Sequence, residues 1–128
     1  MTMSEKFKPA MGSGDTGFTG LFGGGRVKKT DLRVKTNALL DELNSLLGVI
    51  RAGLRAGKEK REIAGVQRSL VLASGLIAGA RASDQVKNSI TAIEALIAAR
   101  SKHRVLTNFI LPGRNRTEAL LHLARSRA

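Results

Sequence analysis

The residues best suited to chemistry lie between positions 14 and 44, GDTGFTGLFGGGRVKKTDLRVKTNALLDELN. Gly14, Gly17, Gly20 and the run Gly23, Gly24, Gly25 let the backbone turn where a side chain would clash. Successive backbone N–H groups in such turns can form a concave anion nest. Asp15 lies inside this stretch, Thr16 and Thr19 offer hydroxyls, and Arg26, Lys28 and Lys29 place positive charge at its exit. A polyphosphate suits that combination. A flexible linker has the same composition, and composition alone does not separate the two. The stretch is neither a Walker loop nor a dinucleotide fingerprint after a strand. The helix that follows presents two adjacent carboxylates, Asp41 and Glu42, and the amide of Asn44.

A second candidate group lies near the C-terminus, where Phe109, Leu111, Pro112 and Gly113 sit in TNFILPG, followed by His122 and Arg125. A lone Phe in an aliphatic chain also reads as a packing wedge. His122 reads as a structural hydrogen-bonding residue, and His103, at a basic helix end, as a solvated one. Asp41 by itself reads as a solvated helix carboxylate.

The elements that must position these residues follow from composition and periodicity. The chain has 128 residues, 42% of them hydrophobic, and four aromatics, all Phe. That is enough for one domain with a modest core of Leu, Ile, Val and Ala, which favours helices. There is no cysteine, which excludes disulfides, zinc thiolate sites and cysteine nucleophiles. No apolar run approaches the roughly 18 residues of a membrane span, and the start lacks a signal-peptide pattern, so the expected location is the cytoplasm. The net charge of +12, from 22 basic and 10 acidic residues, points to an anionic partner or to a heavily solvated surface.

Residues 1–13 read as a tail, 14–29 as a glycine-rich arm, and 30–128 as an all-α helical bundle of four helices. Thr30 or Asp31 is expected to cap the first helix, with Leu39, Leu43, Leu46, Leu47, Ile50 and Leu54 at helical spacing. Gly53 and Gly57 suggest a break. The second helix carries Ile63, Val66, Leu70, Ala73 and Ile77; Gly65, Gly75 and Gly79 weaken it and would allow close helix approach. Ser83 or Asp84 is expected to cap the third, with Val86, Ile90, Ile93 and Ile97 on one face, ending at Lys102, His103 and Arg104. Residues 107–113 read as an extended segment closed by a turn. Asn115 or Thr117 caps the last helix, which carries Leu120, Leu121 and Ala124. No strand alternation is visible.

The order GDxGxTxLFGGGRV, then LRV, then DELNSxLG resembles the N-terminal signature of the helical-bundle ATP:cob(I)alamin adenosyltransferases. FILPGRNRTEALLHLAR resembles that family's FxLPGG…ALLHxAR segment, and the two blocks cover about half the chain. The resemblance implies a truncated form of a five-helix bundle, assembling as a homo-oligomer, a trimer, with ATP, magnesium and cobalamin bound. It implies that Gly14, Asp15, Thr16, Gly17, Thr19, Gly23, Gly24, Gly25, Arg26, Lys28 and Asn44 meet ATP. Phe109, Leu111, Pro112 and Gly113 would meet the corrinoid, and Asp41 would pair with Arg125 across a subunit interface. Reduced cobalt would attack the 5′ carbon of ATP and triphosphate would leave. The protein then supplies no catalytic acid, base or nucleophile and no metal ligand; it holds two substrates in line.

The chain departs from the family pattern in several places. Gly12 and Thr16 stand where the family carries Lys, Lys35 where it carries an acid, and Ala38 where it carries Gly. The family continues past HxAR into an arginine-rich turn and a further helix that contribute ATP contacts. The resemblance therefore leads to the expectation that these residues alone bind corrinoid better than they adenosylate it, and that another chain completes the bundle. Two alternatives stay open: a non-catalytic homologue that binds nucleotide or corrinoid or scaffolds an assembly, and a basic nucleic-acid-binding protein. The second has no recognised module and no aromatics interleaved with its cations. No membrane partner is expected.

Overall fold

A computed structural model describes residues 11–102 and 105–128. Most of the expected tail and His103 lie outside them. The element order is β1 (Phe18–Gly20), β2 (Arg26–Lys28), α1 (Leu32–Gly53), α2 (Lys58–Ile77), α3 (Ser83–Ser101) and α4 (Arg116–Arg127). The four expected helices are present.

Helix α1 starts where the sequence places a cap. The Asp31 carboxylate accepts from the Arg33 backbone N–H at 2.9 Å and pairs with the Arg33 guanidinium at 3.0 Å. The side-chain hydrogen bond from Arg33, then the backbone one, hold the Asp31 carboxyl below its ordinary value of 3.8. Its contribution to the fold is therefore full above that ordinary value and fades as pH falls through the lowered one. Gly53 ends α1, and Lys60 Nζ reaches back to the Leu54 carbonyl at 3.1 Å.

The centre of the structure is the second half of α1. Leu47, Ile50 and the Ala124 of α4 are buried, and Leu43, Leu46, Leu54, Ile63, Val66, Leu70 and Leu120 pack against them. Among the described residues α1 touches α2 and α4, and α3 touches α2 alone. The helices thus stand in the spatial order α4, α1, α2, α3. They form an open row in which the outer helices do not meet. This arrangement changes the expected apolar faces. Leu39, expected in the α1 stripe, is 58% exposed, because it lies above the stretch of α1 that α4 covers. On α3, Ile90 and Ile97 are exposed, because this helix has a neighbour on one side only. Leu121 on α4 is exposed for the same reason.

Two local expectations are corrected. Neither Ser83 nor Asp84 caps α3; the N-cap is Ala82, a buried residue with no side-chain cap bond, and Ser83 is already helical. The tight, buried corner after α2 sets this start point. Gly79 does not sit within α2 as a weak point but ends it. At φ +102° it lets the Gly79 N–H reach the Leu76 carbonyl at 3.0 Å and the Ala80 N–H reach the Gly75 carbonyl at 2.8 Å. That pair of bonds is a Schellman closure, and glycine is favoured at its left-handed position.

The strands were not visible in the sequence pattern. β1 and β2 pair antiparallel, with Phe18 opposite Lys28, Thr19 opposite Val27 and Gly20 opposite Arg26. Three residues per strand are too few for alternation to register, and a glycine turn with Gly24 at φ +86° closes the hairpin.

Ile50, 2% exposed, is the most buried side chain of this core. Ile50→Ala should lower the unfolding free energy by roughly 2–5 kcal/mol, read by chemical denaturation. Lys87→Ala on the exposed side of α3 should change it by less than about 0.5 kcal/mol.

Candidate functional site

The glycine-rich stretch forms a built hairpin. Before it, the Asp15 N–H donates to the Gly12 carbonyl at 3.1 Å and the Gly17 N–H to the Gly14 carbonyl at 3.4 Å. The Lys29 N–H returns to the Gly17 carbonyl at 2.9 Å, closing the base. The tip is closed by Leu21 N–H to Gly25 carbonyl, 2.8 Å, and Gly24 N–H to Leu21 carbonyl, 3.0 Å. Gly23 N–H donates to the carbonyl of Ala78 at 3.2 Å. The N–H groups of Gly23 and Gly24, expected in an open anion nest, are therefore already used. The cations carry the electrostatics of this arm instead.

Residues two apart on a strand face the same way, about 7 Å apart. Arg26 and Lys28 therefore share a face, and by the register Phe18 and Gly20 lie on it opposite them. All four are exposed, while the central pair, Thr19 and Val27, is half-buried on the other side. The Arg26 guanidinium donates to the Ser13 carbonyl at 2.8 Å, which holds its head over the base of the arm. Lys29 Nζ lies near Gly14, 3.1 Å from where a Cβ would be. Asp15 and Thr16 are exposed at the same base.

Asn44 is not brought to this arm within one chain. It lies roughly 18 Å along α1 from Leu32 at 1.5 Å per residue. Its backbone carbonyl accepts from Gln67 Nε2 at 3.0 Å, and its own Oδ1 is buried without a partner. It lines an open cavity of about 410 Å³ with Gln67, Arg51 and Arg68.

Asp41 and Arg125 form no ion pair within the chain; the pair between these helices is Arg127 Nε to Glu42 Oε1 at 3.4 Å. Because α4 runs back along α1, its last turn meets the middle of α1. Two residues make a rotation of about 200° on a helix, so Arg125 points away from the neighbour that Arg127 faces. Asp41 and Arg125 are both exposed. The Arg127–Glu42 contact is the one the sequence reading missed. Its signal was the second carboxylate beside Asp41, together with an arginine in the last turn of an antiparallel helix.

The C-terminal candidates stand together. Phe109 is fully exposed at 106% and Leu111 is nearly so. Ile110, Leu111, Arg114, Glu118 and His122 line an open cavity of about 420 Å³. Asn115 is the observed cap of α4, its Oδ1 accepting from the Glu118 N–H at 2.9 Å. Glu118 returns the contact, accepting from the Arg114 N–H at 2.8 Å, and its other oxygen lies 3.6 Å from His122 Nε2. This reciprocal cap fixes the LPG turn to the helix. His122 does not make the structural hydrogen bond expected of it: its Nε2 lies beyond hydrogen-bond distance of Glu118 and its buried Nδ1 has no partner.

Among the described residues no cluster of three or more His, Cys, Asp or Glu could hold a metal ion, and no helix is long and apolar enough to cross a membrane.

A family model, Cobalamin adenosyltransferase, matches residues 10–128. A corrinoid adenosyltransferase of Citrobacter freundii is 36% identical over 121 residues, covering 89% of this chain and 69% of the relative. One from Bacillus subtilis is 36% identical over 122 residues, covering 89% and 63%. The corrinoid adenosyltransferase PduO of Salmonella typhimurium is 34% identical over 123 residues, covering 91% of this chain and 37% of its own length. The chain thus spans from a little over a third to about two thirds of these relatives. Among solved structures, a variant PduO-type ATP:corrinoid adenosyltransferase from Lactobacillus reuteri complexed with cobalamin and ATP superposes with a TM-score of 0.77 at 23% identity, over 92% of this chain and 70% of that one. A second variant of that type, complexed with ATP, gives 0.72 at 24% identity, over 93% and 71%. These two likenesses establish the fold.

The reciprocal cap makes a testable pair. Asn115→Ala should cost about 1 kcal/mol, and the double change with Glu118→Ala should cost less than the sum of the singles, because both hold one helix start. Additivity by thermal or chemical unfolding would refute the shared cap.

Proposed function

We propose that this chain, which belongs to the cobalamin adenosyltransferase family, transfers the 5′-deoxyadenosyl group of ATP to the reduced cobalt of a corrinoid. A bond forms between cobalt and the 5′ carbon. The bond from that carbon to the triphosphate oxygen breaks, and triphosphate leaves with the electron pair. The observation that carries this reading is the exposed hairpin face with Arg26 and Lys28, in a chain whose family handles ATP.

The protein's part is positioning and charge. Arg26 and Lys28, with Lys29 and the hydroxyl of Thr16 at the base, meet the triphosphate and neutralise it as it leaves; Thr19, expected among these groups, faces the other side of the hairpin beside Val27. The glycines of residues 14–25 let the backbone approach it. Magnesium bound with ATP would neutralise further phosphate charge, taking its ligands from phosphate and water; Asp15, exposed at the base of the arm, belongs to the residues that meet ATP. Phe109, Leu111, Pro112 and Gly113 offer the exposed apolar surface for the flat corrinoid, with the turn fixed by the Asn115–Glu118 cap. Asn44, displaced along α1 from the arm, would reach the nucleotide from another position or another copy.

The working form is a homo-oligomer, a trimer. Its support is the exposed Ile90 and Ile97 of α3 and the outward Asp41 and Arg125, which a second copy can pair. A carboxylate–guanidinium pair there gives bidentate geometry. Arg125→Ala should weaken assembly in sedimentation, and the cycle with Asp41→Ala should be non-additive. A stable monomer at micromolar concentration would count against the assembly.

The test of the site is titration with ATP and with cob(II)alamin, followed by absorbance, with adenosylcobalamin formation from cob(I)alamin as the catalytic readout. Tripolyphosphate should displace ATP and adenosine should do so weakly. Arg26→Ala and Lys28→Ala should each weaken ATP binding by roughly 10- to 100-fold, the value of one charged hydrogen bond, and leave corrinoid binding unchanged. Equal competition by adenosine would remove the arm from the phosphate site. Failure to bind either substrate would overturn the reading.

A further inference from the structure

We infer that the turn ending α2 is the seat of the glycine-rich hairpin, and that Gly23 and Gly79 are positioning residues for the polyphosphate-binding face. The ligand half of this inference rests on the functional reading above. The seat itself rests on geometry alone.

The Schellman closure satisfies the carbonyls of Gly75 and Leu76 from within the turn, and it leaves the Ala78 carbonyl to be met from outside. The Gly23 N–H meets it at 3.2 Å. Among the described residues this is the one hydrogen bond from the hairpin tip to the helices. The backbones approach closely: a Cβ on Gly79 would lie 3.7 Å from both Cα and N of Gly23, and a Cβ on Gly23 would lie 3.8 Å from the Ala78 oxygen. A methyl group has room at Gly23, whereas at Gly79, with φ +102°, any side chain is strained; a longer side chain directed into the contact has no room between Gly23 and the Ala78 carbonyl.

Strand β2 is consequently held at both ends. Its distal end runs through Gly25 into the tip seated on Ala78. Its proximal end runs through Lys29 into the turn where the Asp31 N–H donates to the Lys28 carbonyl at 2.9 Å, next to the α1 cap. Arg26 and Lys28 lie between these anchors. With the α1 anchor alone, the hairpin could swing on residues 29–30 and the cation pair would have no fixed bearing on the bundle. Holding binding groups before the ligand arrives lowers the ordering cost paid on binding.

The variant that tests this is Gly23→Leu, since Gly23 does not have a positive φ and the change adds bulk without backbone strain. Gly79→Asn is the companion: asparagine is the next most tolerant residue at a left-handed helix end, so the turn survives while its side chain meets Gly23. Amide exchange by mass spectrometry should speed up about tenfold or more in residues 18–28 and stay unchanged in α1 and α2. Tripolyphosphate affinity should fall by about tenfold while cob(II)alamin affinity holds. Unchanged hairpin exchange in Gly23→Leu would overturn the seat. Looser exchange with full tripolyphosphate affinity would overturn the positioning role, and so would an equal loss for both ligands, which marks general destabilisation. A wild-type chain that binds no tripolyphosphate would overturn the functional reading and the ligand half together, while the exchange result would still decide the seat.

Discussion

Burial of Leu47 and Ile50 of α1 between α2 and α4 is the interaction on which the arrangement depends. Among the described residues it is the one place where three helices contribute to a common apolar centre. The start of α1, which carries the hairpin, is tied to α2 by Asn37 Nδ2 donating to the Ser74 carbonyl at 3.3 Å. The middle of α1 is a fixed platform for Glu42, which receives Arg127. Helix α3, held only through α2, gains support from the cluster in which Arg100 meets Glu59 and Glu62. Those contacts are exposed and contribute little to stability; apolar packing along α2 has to do the holding.

The charge of the chain acts against this modest core. A net +12 over 128 residues favours expansion through self-repulsion, and the acids available offset only some of it. Asp31 takes Arg33, Glu42 takes Arg127, and Glu59 and Glu62 share Arg100. The cations of the arm have no carboxylate partner among the described ion pairs. A polyanionic ligand at the arm would therefore relieve repulsion as it binds. That accounts for the excess charge without a nucleic-acid-binding module, of which the sequence contains no recognised example.

Exposed apolar residues divide into two kinds. Phe109 and Leu111 stand on the segment that leads into the α4 cap, where Glu118 holds the Arg114 N–H. Ile90 and Ile97 stand on a face of α3 that no described element covers.

Much of this was written locally in the sequence. The four helices, a cap at Thr30 or Asp31 and at Asn115 or Thr117, and the break after Gly53 follow from short-range periodicity and capping chemistry, and the family likeness from the order of the two motif blocks. Each of these depends on residues within a few positions of one another. What the tertiary structure alone decided depends on residues distant in the chain. The part of α1 covered by α4 exposes Leu39 and buries Ile50. The antiparallel return of α4 selects Arg127, not Arg125, for Glu42. Gly79, legible only as a helix weakener, becomes a helix end and a seat for Gly23, 56 positions earlier by the sequence numbering. Periodicity shows that a face is apolar, but which neighbour covers it is set by the packing of the whole chain, and no local pattern encodes that choice.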